Sequence, residues 1–211
     1  MNFKDPEIIF RYFEGLLETQ ISSFNKLGGL YEVVNSKINL ISRADFENLY
    51  LRHILHSLSI AKFIWFKEET RVLDLGTGGG LPGIPLAILF PKVHFTLIDS
   101  IQKKTKMVSF LADELGLNNV EVVCDRAENI DEQFDFVVSR ATAPMSDLVK
   151  WTKDNFLLRT HNSYQNGIIA LKGGNLVDEL KYIKKEVDIV SLSDYFDEDF
   201  FSTKKLLYLR Y

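Results

Sequence analysis

The sequence predicts an α/β fold: a mostly parallel sheet with one antiparallel strand near the carboxyl end, preceded by an N-terminal helical cap. Three observations predict it. Short apolar runs at 72–75, 93–98, 120–123, 136–139 and 168–171 are separated by segments long enough for helices, the alternation expected of a parallel sheet covered on both faces. Only an acidic turn separates the runs at 187–192 and 205–209. Strands so close in sequence pair as a hairpin, which leaves one of them antiparallel. Before residue 69, by contrast, apolar residues recur at helical spacing.

Taken in order, Asp5, Pro6 and Glu7 supply a cap, a first-turn proline and an acid favoured at a helix N-terminus. Ile9, Phe13 and Leu16 then define one apolar face. Gly28-Gly29 predicts a break, after which Asp45 opens a further helix to about Trp65, with Leu51, Leu55 and Leu58 on one side. The cap is expected to span 1–68 with no catalytic signature of its own, leaving 69–211 for the sheet. The most apolar stretch, 81–90, contains Pro82 and Pro85 and is far too short to span a bilayer. Beyond Asp99, Met107, Val108, Leu111 and Leu115 line one side of a helix that Gly116 stops.

Composition narrows the class. The 211 residues are 46% hydrophobic and 26% charged, ordinary values that exclude disorder, collagen and coiled coil. The net charge of −4 argues against sequence-blind nucleic-acid binding. That excess sits in one turn, in Asp194, Asp197, Glu198 and Asp199, so a local basic surface on a neutral body stays compatible with RNA. Cys124, the single cysteine, excludes an internal disulfide and fits a reducing compartment. At the end of a strand it is expected to be buried and unreactive. The first residues carry no apolar signal core, so the expectation is a cytoplasmic protein without membrane contact, with a monomer favoured.

The most informative stretch runs from Arg71 to Gly83, where Gly76, Gly78, Gly79, Gly80 and Gly83 follow an apolar run. Glycines between a strand and a helix let the backbone turn sharply and approach a ligand closely. Gly78, Gly80 and Gly83 satisfy the dinucleotide pattern, with Asp99 at the spacing of its ribose-binding acid, so an NAD-dependent oxidoreductase is one reading. The frame Asp74-x-Gly76-x-Gly78-x-Gly80 favours another. A carboxylate just inside the turn suits a cationic amino-acid-like ligand and is poorly placed beside a pyrophosphate, which points to S-adenosylmethionine. In that frame Asp99 accepts from ribose hydroxyls, and Glu128 accepts from the adenine amino group or fixes its own loop. Purely structural roles remain open: a turn-stabilising acid for Asp74 and a helix cap for Asp99.

The chain resembles the bacterial 16S ribosomal RNA guanine-N(7) methyltransferase family, also called the glucose-inhibited division protein B family. The resemblance rests on Asp74-Leu-Gly-Thr-Gly-Gly-Gly-Leu-Pro-Gly-Ile-Pro85, His94-Phe-Thr-Leu-Ile-Asp-Ser100, Asp125-Arg-Ala-Glu128, Val138-Ser-Arg-Ala141 and Ala170-Leu-Lys-Gly173. Asn39-Leu-Ile-Ser42 and Arg52-His53 resemble the family's amino-terminal element; His56 and Ile41-Ser42 depart from its usual pattern. It implies a Rossmann-like class I methyltransferase fold and methylation of 16S ribosomal RNA or the small ribosomal subunit. It also implies cofactor contact by Gly76, Leu81, Ala127, Glu128 and Arg140. Asn39, Arg52 and His53 are candidate RNA contacts.

The residues agree with that chemistry. The seventh nitrogen of guanine carries no proton, so attack on an activated methyl needs alignment more than a general base. Arg140, ending the fourth strand on the ligand-binding edge, is the candidate catalytic side chain, acting on cofactor, base or phosphate. Lys103, Lys104 and Lys106 lie in the first turns of a helix, where cations oppose the macrodipole. With Arg126, Arg140 and Lys172 they form a candidate basic rim for phosphate contacts, although an ordinary solvated face explains a lysine run equally. His53 and His56 share a helix face but have no further ligand at matching spacing, so no metal site is expected. A non-enzymatic RNA- or ribosome-binding protein retaining the fold is the other alternative.

Overall fold

The computed structural model describes residues 5–38, 40–140, 143–174 and 176–211, with the backbone alone for Arg43, Ala44 and Asp178. Seven strands form one sheet: β1 Arg71–Leu75, β2 His94–Ile98, β3 Val120–Val123, β4 Phe136–Arg140, β5 Gly167–Gly173, β6 Val187–Ser191 and β7 Lys204–Arg210. Their order is β3-β2-β1-β4-β5-β7-β6. The first five are parallel, and β7 runs antiparallel between β5 and β6. Each apolar run expected as a strand is one, and the terminal pair forms the expected hairpin.

The order fixes where a ligand sits. The chain moves outward from β1 through β2 to β3, then returns to place β4 against the other side of β1. Crossovers on either side of that switch leave a crevice at the carboxyl ends of β1 and β4. The glycine loop, Asp99 and Arg140 all lie on this edge.

Alternation along β1 serves two cores. Val72 packs with the amino-terminal helices, whereas Leu73 and Leu75 pack with the opposite layer around Leu148, Phe156 and Leu176. On the first face lie α1 Glu7–Tyr12, α2 Glu18–Lys37, α3 Arg43–Phe46, a π-helical segment Leu49–Leu55 running into α4 His56–Phe63, α5 Gly83–Leu89 and α6 Gln102–Leu115. α7 Met145–Thr152 and α8 Val177–Leu180 cover the other. No helix among the described residues is long and apolar enough to cross a membrane.

Three local expectations are corrected. Gly28-Gly29 does not break α2. Gly28 instead admits the ring of Tyr50, whose hydroxyl would lie 2.9 Å from an added Cβ. That hydroxyl donates to Phe24 O at 2.6 Å and accepts from Gly28 N at 2.9 Å. Asp45 does not open the next helix; Ser42 caps α3, accepting from Asp45 N at 3.2 Å, which releases the Asp45 carboxylate for other partners. Cys124 is exposed, not buried, because β3 is the outermost strand and its end has no neighbour on one side.

Two contacts bind the ends of the chain to the body. Gln20 donates to Ile88 O and Leu89 O at 3.2 and 2.8 Å, satisfying carbonyls left open at the end of α5. The acidic turn is also used: Arg11 pairs with Asp197 at 2.9 Å, and Tyr12 Oη donates to Glu198 at 2.8 Å.

Candidate cofactor and nucleic-acid site

The loop after β1 is held from below. Asp74 is fully buried, and its Oδ2 accepts from Thr77 Oγ1 at 2.6 Å and Gly83 N at 2.8 Å. Burial pushes its carboxyl up to about 7, while these bonds pull the other way. Expected at the ligand, Asp74 lines neither cavity of the crevice and ties the two ends of the loop together. Its Oδ1 is buried with no hydrogen-bond partner among the described residues. Gly80, also expected at the ligand, has a structural role: at φ +84° an added Cβ would lie 2.6 Å from Ile84 Cγ1. Thr77 O accepts from Gly80 N and Leu81 N, both at 2.9 Å, which curls the loop toward α5.

Above the loop lie two adjoining cavities. The first, about 350 Å³, is lined by Gly76, Asp99, Lys104, Arg126, Ala127, Glu128 and Trp151 among others. The second, about 310 Å³, is lined by Leu40, Ile41, His53, Gly76 to Gly79, Leu81, Asp99, Lys104 and Arg140. Asp99 stands where they meet. Its Oδ2 accepts from Gly78 N at 3.1 Å and pairs with Lys104 Nζ at 3.4 Å; its Oδ1 accepts from Ile101 N at 2.9 Å. Each carboxylate oxygen offers two lone pairs, so capacity for ribose hydroxyls remains.

The helical cap, expected to carry no catalytic signature of its own, supplies the opposite wall. Tyr31 Oη donates to Gly79 O at 2.8 Å from the buried face of α2. Asn35 pins Leu40 and Ile41 against the cavity, its Oδ1 accepting from both backbone nitrogens at 2.9 Å. Neither was legible in the sequence as more than a helical stripe.

Arg140 lies half-buried at the end of β4, where it lines the second cavity and a third, about 480 Å³, beyond it. Its Nη1 donates to His53 Nδ1 at 3.1 Å and to Arg52 O at 3.4 Å. A guanidinium only donates, so His53 Nδ1 accepts and the imidazole proton sits on Nε2, facing Asp45 Oδ2 at 2.7 Å. Burial, reinforced by Arg140, lowers the His53 pKa to about 4 in spite of Asp45. The imidazole is therefore neutral at physiological pH and its tautomer is set. Asp45 also pairs with Arg52 at 2.9 Å, forming a connected Arg52–Asp45–His53–Arg140 chain. Asp45 and His53 meet because α3 ends at Phe46 and the chain turns before the π-helical segment begins at Leu49, so that the two lie on separate elements, a contact one uninterrupted helix does not give.

The third cavity is lined by Asp45, Arg52, His53, His56, Arg140, Leu171, Lys172, Gly173, Phe200 and Lys204. Sequence reasoning missed Phe200 and Lys204 because they follow the acidic turn, far in sequence from every motif. The expected basic rim is only partly assembled. Lys104, Arg126, Arg52 and Arg140 line the crevice, whereas exposed Lys103 and Lys106 line none of the three cavities. Lys172 Nζ pairs with Glu179 at 2.6 Å, which engages its charge. Asn39 lies outside the described residues.

A sheet of this order, with a glycine loop after the first strand and an acid closing the second at the switch point, defines a class I, Rossmann-like methyltransferase. The residues fit S-adenosylmethionine. A Cβ on Gly78 would have only Gly76 O within 4 Å, at 3.9 Å, so the loop presents bare backbone to the cavity beside acceptors for hydroxyl and amino groups.

Within that class, the chain belongs to the rRNA small subunit methyltransferase G family, whose model matches residues 20–206. It is 51% identical over 203 residues to ribosomal RNA small subunit methyltransferase G of Phocaeicola vulgatus, covering 96% of this chain and 97% of that one. The protein of the same name from Bacteroides thetaiotaomicron is 52% identical over 202 residues, covering 96% and 98%. Among solved structures, the fold is similar to a SAM-dependent methyltransferase from Aquifex aeolicus, with TM-score 0.55, 16% identity and coverage of 88% and 98%. Aeropyrum pernix fibrillarin, solved with natively bound S-adenosyl-L-methionine, is similar at TM-score 0.54, with 16% identity and coverage of 75% and 74%. At such identities the likeness is one of fold alone.

Proposed function

We propose that this chain transfers a methyl group from S-adenosylmethionine to the seventh nitrogen of a guanine in 16S ribosomal RNA, free or in the small subunit, in the cytoplasm. One observation carries the reading. Arg140 and His53 border both a glycine-loop cavity and a cavity rich in cations, so two ligands of unlike charge meet beside one guanidinium.

Bound S-adenosylmethionine supplies a methyl on a sulfonium, open to direct displacement by a lone pair. The residues do the rest by placement. Asp99 accepts from the ribose hydroxyls, Ala127 and Glu128 border the adenine, and Gly76 and Gly78 let the backbone close on the amino-acid end. The chain from Asp45 through His53 holds Arg140 in one orientation, with its positive charge beside the incoming base and its phosphates. His53 contributes no proton acceptor, since Arg140 already engages Nδ1. That suits a nucleophile with no proton to lose, for which alignment is the main source of acceleration.

Incubation with methyl-labelled S-adenosylmethionine and small-subunit RNA, followed by mass spectrometry of the nucleosides, tests the reading. Label in N7-methylguanosine is the expected result. Unlabelled RNA from both naked and assembled substrate, or calorimetric binding of NAD without S-adenosylmethionine, overturns it.

A further inference from the structure

The third cavity holds an aromatic ring that the cofactor side does not need. Phe200 lies in the 3₁₀ turn Asp199–Thr203, just before β7. It is partly exposed and lines the same cavity as Arg140. The ring is fixed from behind. His56 meets it edge-on at 5.5 Å and 82°, and Phe201 at 5.0 Å and 77°. Phe201 is itself fully buried and stacked on Phe196 at 4.3 Å. Around it are the heads of two long cationic side chains: Lys204 Nζ is 4.8 Å and Arg52 Cζ 5.9 Å from the ring centroid.

We propose that Phe200 is the platform on which the purine to be methylated stacks, its N7 edge reaching past Arg140 to the methyl donor, while Arg52 and Lys204 meet the phosphates that flank it. The inference rests on the reading above, adding the place of the base to the identity of the reaction. The chemistry follows from competition for one ring. An exposed cation over an aromatic gains only about two- to five-fold in equilibrium terms, whereas a base stacked on an aromatic gains roughly ten- to a hundred-fold. A base therefore displaces the cations from the ring, and their flexible stems carry the charges to nearby phosphates. A rigidly backed aromatic rimmed by cations is the arrangement by which proteins take unstacked bases out of RNA. Phe196 and Phe201, buried behind it, offer a base no surface.

Three variants test this, each with two readouts. Phe200→Leu keeps the bulk of the side chain and removes the π face. It is expected to lower kcat/KM for small-subunit RNA about ten- to a hundred-fold while the Kd for S-adenosylmethionine, by calorimetry, stays within two-fold. Phe200→Tyr is expected to recover at least a third of the lost kcat/KM. Phe200→Trp adds an indole whose fluorescence is expected to be quenched by a guanine-containing single-stranded oligonucleotide, beyond the change in the parent's own two tryptophans. Wild-type kcat/KM in Phe200→Leu, or no added quenching in Phe200→Trp, overturns the proposal. The fluorescence arm needs no turnover. A parent protein that methylates no RNA defeats the proposed function, and the quenching still decides whether Phe200 stacks bases.

Discussion

The two sides of Arg140 differ in the charge they present. Toward the glycine loop, the first cavity sets Asp99, Asp125 and Glu128 against Lys104 and Arg126; beyond Arg140, the third sets Arg52, Arg140 and Lys204 against Asp45, its Lys172 being engaged by Glu179. One crevice thus offers acceptors to a cationic, hydroxyl-rich cofactor and donors to an anionic polymer. A single net charge for the whole chain hides this division. The contrast also separates two kinds of support: the acidic side is shaped by backbone turns, and the basic side by a chain of charged side chains.

The strongest way to break the comparison is to damage the acidic side alone. Gly78→Asp places a side chain at φ +59° and sets a second carboxylate in the cavity beside Asp99, where the space it takes from the ligand and like-charge repulsion together amount to about 3 kcal/mol or more. Cofactor affinity by calorimetry is expected to fall at least roughly 100-fold, with RNA retention on a filter unchanged. Equal loss of both would show that the two sides are not separable.

Arg140→Lys attacks the shared wall. An ammonium is a point charge and cannot span His53 Nδ1, Arg52 O and a ligand as a planar fork does. A fall in kcat of about 10- to 100-fold is expected, with the cofactor Kd changed less than kcat. Unaltered kcat would remove Arg140 from the site.

The sides also respond oppositely to pH. Burial raises Asp74 to about 7, so the folded state favours its protonated form. The contribution is fully present below about pH 4 and is lost as pH rises through 7. Burial lowers His53 to about 4, so between pH 6.5 and 4 the unfolded chain binds the proton that the folded one refuses. Stability is lost there as pH falls. By linkage the two effects are at most about 4 and about 3 kcal/mol. Urea melts of Asp74→Asn should lack the decline toward pH 7, and those of His53→Asn the decline toward pH 4. Identical pH profiles for parent and variants would contradict both assignments.

The smallest effect is expected from Lys103→Ala/Lys106→Ala. Both side chains are exposed and line none of the three cavities of the crevice, so RNA methylation should change less than about three-fold at moderate salt. Lys104→Ala should instead weaken cofactor binding, through loss of its contact with Asp99.

These contrasts also show what the sequence could disclose. The strands were legible because apolar runs bounded by glycine or acids have few other uses, and the crevice on the glycine-loop side because residues that line it follow strand ends in order: Gly76 after β1, Asp99 after β2, Glu128 after β3 and Arg140 at β4. The basic half was not. Asp45 and His53 meet only because the chain turns between α3 and the π-helical segment, and Phe200 and Lys204 reach the crevice through the pairing of β7 with β5, a contact between distant segments. Gly28 misled for a related reason: its missing side chain makes room for Tyr50, and the local sequence reads the same whether a glycine bends a helix or admits a neighbour.

Cys124 has a practical consequence. The chain's sole thiol is exposed at the end of β3, immediately before Asp125 and Arg126 in the wall of the acidic cavity. A maleimide dye attached there carries its own reporter to the rim of the cofactor site without any engineered residue. Occupancy of that site can then be followed by light during ribosome assembly, in real time and at concentrations far below those that calorimetry requires.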